Sequence, residues 1–284
     1  MKKNYFFKAF VGVLFGLMVS CDNTTDDPIN QNNTGNNNEP TITGPRVLNK
    51  VMSGTVTSEE YITSSGAISQ VILRDFATTN STTATVTYTG DKISKIKYID
   101  NQNPHVIDNE YNITYTNGRM SAIALQQNLG SVINRSDFTV NYDPSGVLYR
   151  VEEKKKMGGS TNYTHYAEYK FTFSASNVVR VEHTTMLMNG SNPDPTTASK
   201  TNYAYENYDN KINPYTTLSK EYFIVTGILF PVNFNMISSN NAGKVTVQNP
   251  AGAVISYPKT YLYDSQNYPT SDQGQSTKYI YKAL

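Results

Sequence analysis

The sequence predicts a mainly β protein: an antiparallel meander of repeated hairpins forming one curved sheet, with a short helix-and-loop segment (about 216–237) covering its apolar face. Three observations carry that fold class. The composition is rich in Tyr, Thr, Ser and Asn, with 22 Tyr and no Trp, and aromatic and β-branched side chains suit a pleated, half-buried surface. Tyr88, Tyr115 and Tyr142 recur at equal intervals, and Phe173 follows in the same local setting. Around each of them apolar and polar residues alternate with a period of two, which gives a strand one buried and one wet face.

The first element is not part of that body. Lys2 and Lys3 open a basic start, an apolar stretch runs from Phe6 to Val19, and Ser20-Cys21 closes it. This is the pattern of a secretory signal that is removed, and the apolar stretch, interrupted by Lys8, is shorter than the ~20 residues of a spanning helix. Met18-Val19-Ser20-Cys21 has the layout of a bacterial lipobox, which makes residues 1–20 a lipoprotein signal peptide and Cys21 the acylated, palmitate-carrying N-terminus. About three acyl chains at about 0.8 kcal/mol per buried methylene amount to permanent anchoring. Cys21 is the lone cysteine, so no intrachain disulfide is available. Loss of the leader removes Lys2, Lys3 and Lys8 and no acid, taking the formal charge from +1 to −2. No basic field remains to attract nucleic acid.

Residues 21–44 follow as a tether. They are Asn-, Thr-, Asp- and Pro-rich, with Ile29 and Ile42 the large apolar residues, and such a segment buries too little to offset its ordering entropy. Residues 45–284 form the single β-repeat domain. Each hairpin has an alternating strand (Val86/Tyr88, Ile113/Tyr115, Phe138/Val140/Tyr142, Tyr169/Phe171/Phe173), then a polar turn with Gly or Asn for positive φ. A second strand resumes with Ile96/Tyr98, Ile123/Leu125, Val147/Tyr149/Val151 and Val179/Val181. Val51-Met52 and Val71-Ile72-Leu73 read as further strands of weak register within a vague 45–85 region. Tyr203-Ala-Tyr205 and Tyr261-Leu-Tyr263 echo the repeat.

The pattern changes after Tyr208-Asp209. Leu218, Tyr222, Val225 and Leu229 fit one helical face, with Thr217 the expected N-cap and Gly227 the expected stop. This most apolar part of the mature chain is read as a lid, because a one-layer sheet exposes an aggregating face without a cover.

These tandem aromatic-x-Tyr-Asp/Thr-x-x-Gly-x-Ile/Val units, followed by Tyr208-Asp209-Asn210-Lys211-Ile212-Asn213-Pro214-Tyr215, resemble a family of Bacteroidota lipoproteins of unknown function. Their strand repeats are similar to the tyrosine-aspartate repeats of Rhs-type proteins. Tyr88-Thr89 and Phe173-Ser174 lack the Asp. The resemblance implies an outer-membrane lipoprotein and transfers no functional residue. In such lipoproteins acids just after the cysteine act as a surface-export signal, and Asp22, Asp26 and Asp27 extend the expectation to the cell surface.

Catalytic chemistry finds no local support. His105, His165 and His183 share no metal-ligand spacing; nucleophile-elbow and P-loop fingerprints are missing. His183 is expected to be a structural histidine on the strand face of Val179/Val181. Glu59-Glu60 and Glu152-Glu153 are neighbours on strands, whose side chains point to opposite faces, so they are read as solvated charges and not as a carboxylate dyad. Lys154-Lys155-Lys156 reads as a solvated hairpin loop, and Asp194 lacks an acidic calcium loop. Tyr61, Tyr163, Tyr166, Tyr169, Tyr203, Tyr205, Tyr208 and Tyr215 are expected to be packing partners; the alternative is a sugar-stacking face. The expectation is therefore a non-enzymatic, envelope-anchored binding or scaffolding domain, without a cofactor and without nucleic acid, partnered with the membrane through its lipid. Its alternatives are a carrier of an apolar ligand in a half-barrel cavity and a binder of surface glycans.

Overall fold

The computed structural model describes residues 42, 44–75 and 78–284. The signal peptide, Cys21 and the tether apart from Ile42 and Gly44 lie outside the described residues. From residue 46 the chain runs as strands β1 (Arg46–Ser53), β2 (Val56–Ser64), β3 (Ala67–Arg74), β4 (Ser81–Thr89), β5 (Lys92–Asp100) and β6 (Asp108–Thr116). It continues through β7 (Arg119–Leu129), β8 (Val132–Tyr142), β9 (Leu148–Lys156), β10 (His165–Ser174), β11 (Asn177–Asn189), the two-residue β12 (Asn192–Pro193) and β13 (Ser199–Tyr208). Helix α1 (Lys220–Leu229) interrupts the strands, and β14 (Ala242–Gln248), β15 (Val254–Pro258), β16 (Leu262–Tyr263), β17 (Pro269–Ser271) and β18 (Thr277–Ala283) complete them. All belong to one 18-stranded antiparallel sheet, as the alternating hairpins predict.

In space the sheet runs β15-β14-β13-β11-β10-β9 and on down to β1, which then pairs with β18, followed by β17 and β16. The two edges are thus β15 and β16, adjacent in sequence. Only residues 259–261 join them, a link that spans at most roughly 14 Å. The sheet therefore curls until its edges meet without pairing, and a seam is left. On the β1 side of the seam, Arg46 fastens the β16–β17 turn: its guanidinium meets Asp264 at 2.6 Å and lies 4.5 Å over the Tyr268 ring.

The 216–237 segment lies within this curl as a plug. From Tyr222 to Ile228 every residue of α1 is buried, as expected of a helix that is apolar all round. Strands far apart in the sheet hold it. Tyr98 of β5 bonds Thr226 Oγ1 at 3.1 Å, Tyr169 of β10 donates to the Ile228 carbonyl at 3.2 Å, and Tyr205 of β13 donates to Pro231 at 2.8 Å. Tyr61 of β2 packs 6.2 Å from Phe223. Two details differ from the sequence reading. The N-cap is Ser219, while Thr217 ends the preceding 3-10 turn and accepts the Leu48 N–H at 2.9 Å. Gly227 does not stop the helix; it lies inside α1, where the Phe234 ring occupies the space a Cβ would need.

Six of the hairpins also carry a bulge that the sequence pattern hid. Ser58, Ser69, Ser94, Ser121, Tyr149 and Val179 are extra residues between pairs on their strands. At the four serines the hydroxyl donates to the facing strand: Ser58 to Val51, Ser69 to Ile62, Ser94 to Thr87 and Ser121 to Thr114. A bulge shifts the inward set by one residue and bends the strand. Ile96/Tyr98 and Ile123/Leu125 are buried as read, but the other two second strands are corrected. Val151 is buried as read, but Leu148 is buried where Val147 and Tyr149 were expected, the latter two being 38% and 41% exposed. Val178 and Val181 are buried in place of Val179/Val181.

The outer face is charged. Lys95–Glu110, Arg150–Glu168, Lys170–Glu168, Lys200–Glu182 and Lys244–Glu206 ion pairs run across it from β5 to β14. Lys154-Lys155-Lys156 ends β9 within the sheet, so it is strand and not loop; Lys156 lies 4.8 Å over the Tyr163 ring.

Candidate functional site at the seam of the sheet

The bulge at Ser58 turns Glu59 inward beside Tyr61, while Glu60 faces out to Arg74 at 2.6 Å and Lys50 at 3.5 Å. Adjacent carboxylates do sit on opposite faces, but Glu59 is no solvated edge charge: alternation once started by a bulge places every second residue in the interior. Glu59 Oε2 accepts from the Tyr61 hydroxyl at 2.6 Å and the Tyr215 hydroxyl at 3.3 Å. Burial pushes its carboxyl above the usual range, against those two hydrogen bonds and the charge of Lys259. Tyr215 is brought there by a 3-10 turn, Pro214–Thr217, that Asn213 caps through the Tyr215 N–H.

Lys259 lies on the link between the two edge strands, and burial holds its ammonium below the ordinary lysine range, with Glu59 acting in the opposite direction. Tyr279 of β18 completes the group from the far side of β1, its hydroxyl deprotonating well above the ordinary tyrosine range because it is buried and faces Tyr261 and Glu59. The result is a carboxyl and an amine among buried tyrosines, each disfavoured in its charged form by burial and favoured in it by the other. Sequence reasoning treated Glu59 as surface and missed Lys259 entirely. Pro258-Lys259-Thr260 carries no local pattern, and its setting arises only when the two sheet edges meet.

The other singled-out residues scatter. His105 and His165 are exposed, and His165 Nδ1 meets Thr164 Oγ1 at 2.8 Å. His183 stacks flat on Tyr169, ring centroids 4.3 Å apart and planes within 1°, and burial lowers its pKa to about 4. Glu153 takes the Ser136 hydroxyl inside the sheet, and Glu152 takes Asn141 and Tyr166 outside it. Asp194 caps the short 3-10 turn that follows it. Among the described residues no cluster of His, Cys, Asp and Glu is grouped to hold a metal.

The tyrosines named as a stacking surface form no common exposed face, since most of them pack in or against the core. Tyr61, Tyr169, Tyr205 and Tyr215 point into the sheet, while Tyr166 bonds Glu152 and Tyr163 bonds Asp137 outside it. Tyr61, Tyr163, Tyr166, Tyr169, Tyr205, Tyr208 and Tyr215 have their hydroxyls engaged with the fold, and Tyr115-to-Ile93 (2.9 Å) and Tyr208-to-Val178 (2.5 Å) repeat one staple from a hairpin to its predecessor.

The Tyr208–Tyr215 segment is also a fastening. Asp209 accepts from the Lys211 N–H, the Asn241 N–H and the Tyr263 hydroxyl, and Asn213 Nδ2 donates to the Asn235 and Ser238 carbonyls. It ties the exit of β13 to both ends of the plug and to β16.

No protein-family description and no curated protein matches the chain. Its fold does have solved counterparts. A porin-like protein from Bacteroides vulgatus ATCC 8482 superposes with a TM-score of 0.50 at 12% identity, covering 84% of this chain and 100% of that one. A porin-like protein from Bacteroides uniformis ATCC 8492 gives 0.35 at 11% identity, over 82% and 94%. The first likeness is one of fold: a large antiparallel sheet.

Proposed function

We propose that this protein is an outer-membrane lipoprotein of the bacterial envelope, displayed at the cell surface. Cys21 carries the acyl anchor, residues 21–44 hold the body away from the bilayer, and the β-domain works by binding or scaffolding without catalysis. One observation supports the reading most: the sheet is apolar within and charged without. A transmembrane barrel needs the reverse, an outward apolar band around a polar lumen. Here the outward ion pairs from Lys95–Glu110 to Lys244–Glu206 face water, and α1 fills the lumen. The body therefore sits beside the membrane, and its attachment falls to the lipid.

The carrier alternative asks for an apolar hollow under the helix. Tyr61, Tyr98, Phe171 and Phe234 fill that space against α1 and its exit, so it loses its support. The glycan alternative loses its platform because most of the tyrosines pack in the interior.

The test is metabolic labelling of cells with an alkyne fatty acid, followed by detergent phase separation. Wild-type protein is expected labelled and in the detergent phase, and Cys21→Ala unlabelled and aqueous. Acylation that persists in Cys21→Ala would defeat the anchor.

A further inference from the structure

The pairing of β7 with β8 stops at Ala122–Thr139. Beyond it Arg119 and Met120 pair only with β6, and Val140, Asn141 and Tyr142 pair only with β9, so the two strands part. Two other partings of this kind are closed by a tyrosine. Tyr115 donates to the Ile93 carbonyl at 2.9 Å across β5 and β6, and Tyr208 donates to Val178 at 2.5 Å across β11 and β13. Tyr142 holds the corresponding place opposite Met120, yet its hydroxyl has no hydrogen-bond partner among the described residues. A recess of about 350 Å³ opens there instead, its lining including Arg119, Met120, Val140, Tyr142, Thr116 and Ser121. Small-molecule pockets begin at roughly 300 Å³, so one compact ligand fits.

The charge in this recess is held ready. Arg46, Arg74, Arg150 and Arg180 each meet a carboxylate, whereas Arg119 meets none among the described residues. It is nonetheless fixed. Its guanidinium lies 5.7 Å over the Tyr142 ring and against Gly146, where a Cβ would collide with Cζ and both terminal nitrogens. A cation placed in this way has already given up the rotamer freedom that binding would otherwise cost. Thr116 and Ser121 bond each other at 3.0 Å, and Met120 and Val140, 1% and 5% exposed, form an apolar floor. We propose that this recess binds a small organic acid, its carboxylate held by Arg119 and the Tyr142 hydroxyl and its compact apolar body resting on Met120 and Val140. The planar guanidinium fork meets a carboxylate with two parallel charge-assisted bonds, which a lysine cannot reproduce. The floor offers nothing to a second charge, so the rest of the ligand is neutral. The inference deepens the binding reading of the domain and rests on it, and it is independent of where that body is anchored.

Titration calorimetry of the full mature protein in detergent tests it, with benzoate as probe and benzamide, acetate and inorganic phosphate as partial mimics. A saturable benzoate signal is expected. Benzamide lacks the charge, and acetate and phosphate lack the apolar body, so each should bind at least about tenfold more weakly. Arg119→Gln should abolish the signal, Arg119→Lys should weaken it about tenfold, and Tyr142→Phe, which keeps the ring, should weaken it about fivefold. Arg119 is exposed, so its variants should melt at the wild-type temperature. Arg135→Gln removes an exposed arginine of β8 outside the recess and should leave the titration unchanged. Absence of benzoate binding by the wild type, benzamide or phosphate binding as tightly, binding retained by Arg119→Gln, or an equal loss in Arg135→Gln would each overturn the proposal. The Cys21→Ala protein should give the wild-type titration, so a failed anchor and a failed site are told apart.

Discussion

Gly227 lies inside α1, where a glycine is ordinarily a loss: replacing it with alanine in an exposed helix gains about 1 kcal/mol. Here the opposite sign is expected. A Cβ at this position would stand 2.3 Å from Phe234 Cδ1, and that ring is itself wedged edge-on against Phe171 at 4.7 Å. The ring has nowhere to go, so overpacking outweighs helix propensity, and Gly227→Ala should destabilise by about 1–3 kcal/mol in urea unfolding. His183 gives a second prediction of known sign. Burial depresses its folded pKa to about 4, below the unfolded value, so protonation favours the unfolded chain. Stability from keeping it neutral is therefore complete at neutral pH and is lost as pH falls from about 6.5 toward 4. His183→Phe, which retains the stack on Tyr169, should lose roughly 2 kcal/mol less than wild type between pH 7 and 4.5. Equal acid sensitivity of the two proteins would contradict the burial assigned to this ring.

At the scale of the hairpin, the serine bulges make a prediction that separates hydrogen bonding from register. Ser94→Ala removes one hydroxyl bond to Thr87 and should cost about 0.5–1.5 kcal/mol. Deleting Ser94 removes the bulge instead. Ile93 would then stand two residues from Ile96, so the period of two keeps it on the inward face with Ile96 and Tyr98 in an unbulged strand, where all three are almost fully buried now. The deletion should therefore leave the inward set intact and cost about as much as the alanine, as read by thermal melts of the two variants; a several-fold larger loss would mean that the bend the bulge gives the strand is what the fold needs. The same elements show how much the sequence told. The first strand of each hairpin was legible because its alternation is unbroken: Val86/Tyr88 and Phe138/Val140/Tyr142 face inward as the pattern says. The return strands were legible only where the apolar residues beyond the bulge dominate the pattern, as at Ile96/Tyr98. At Val147-Leu148-Tyr149 three successive apolar residues fit either phase, and the bulge at Tyr149, set by pairing with β8, decides between them. Likewise the apolar face of α1 was visible in the sequence, but burial on all sides was not, since it depends on how far the sheet curls.

For the whole molecule, the curl makes plug and sheet one cooperative unit. Phe223 packs on Tyr61 of β2 at 6.2 Å and on Tyr215 at 5.2 Å, whereas Phe234 packs on Tyr169 of β10 at 5.8 Å and on Phe171 at 4.7 Å. These contacts lie on stretches of the sheet that pair only through the strands between them, and across the curl they meet through the segment they enclose. Phe223→Ala should cost about 3–5 kcal/mol, the range for a large ring removed from a packed core. The informative readout is where the cost appears. If α1 were a lid resting on one part of the sheet, its loosening would speed amide exchange near β1 and β2 alone. With α1 as a plug, the strands of β9 to β13 lose their shared support as well. Native-state hydrogen exchange on Phe223→Ala should then show lowered protection in β10 and β13, remote from the substitution, by the same free energy as in β2. Protection unchanged in β10 would mean that the two halves of the sheet fold independently and that the helix only covers one of them.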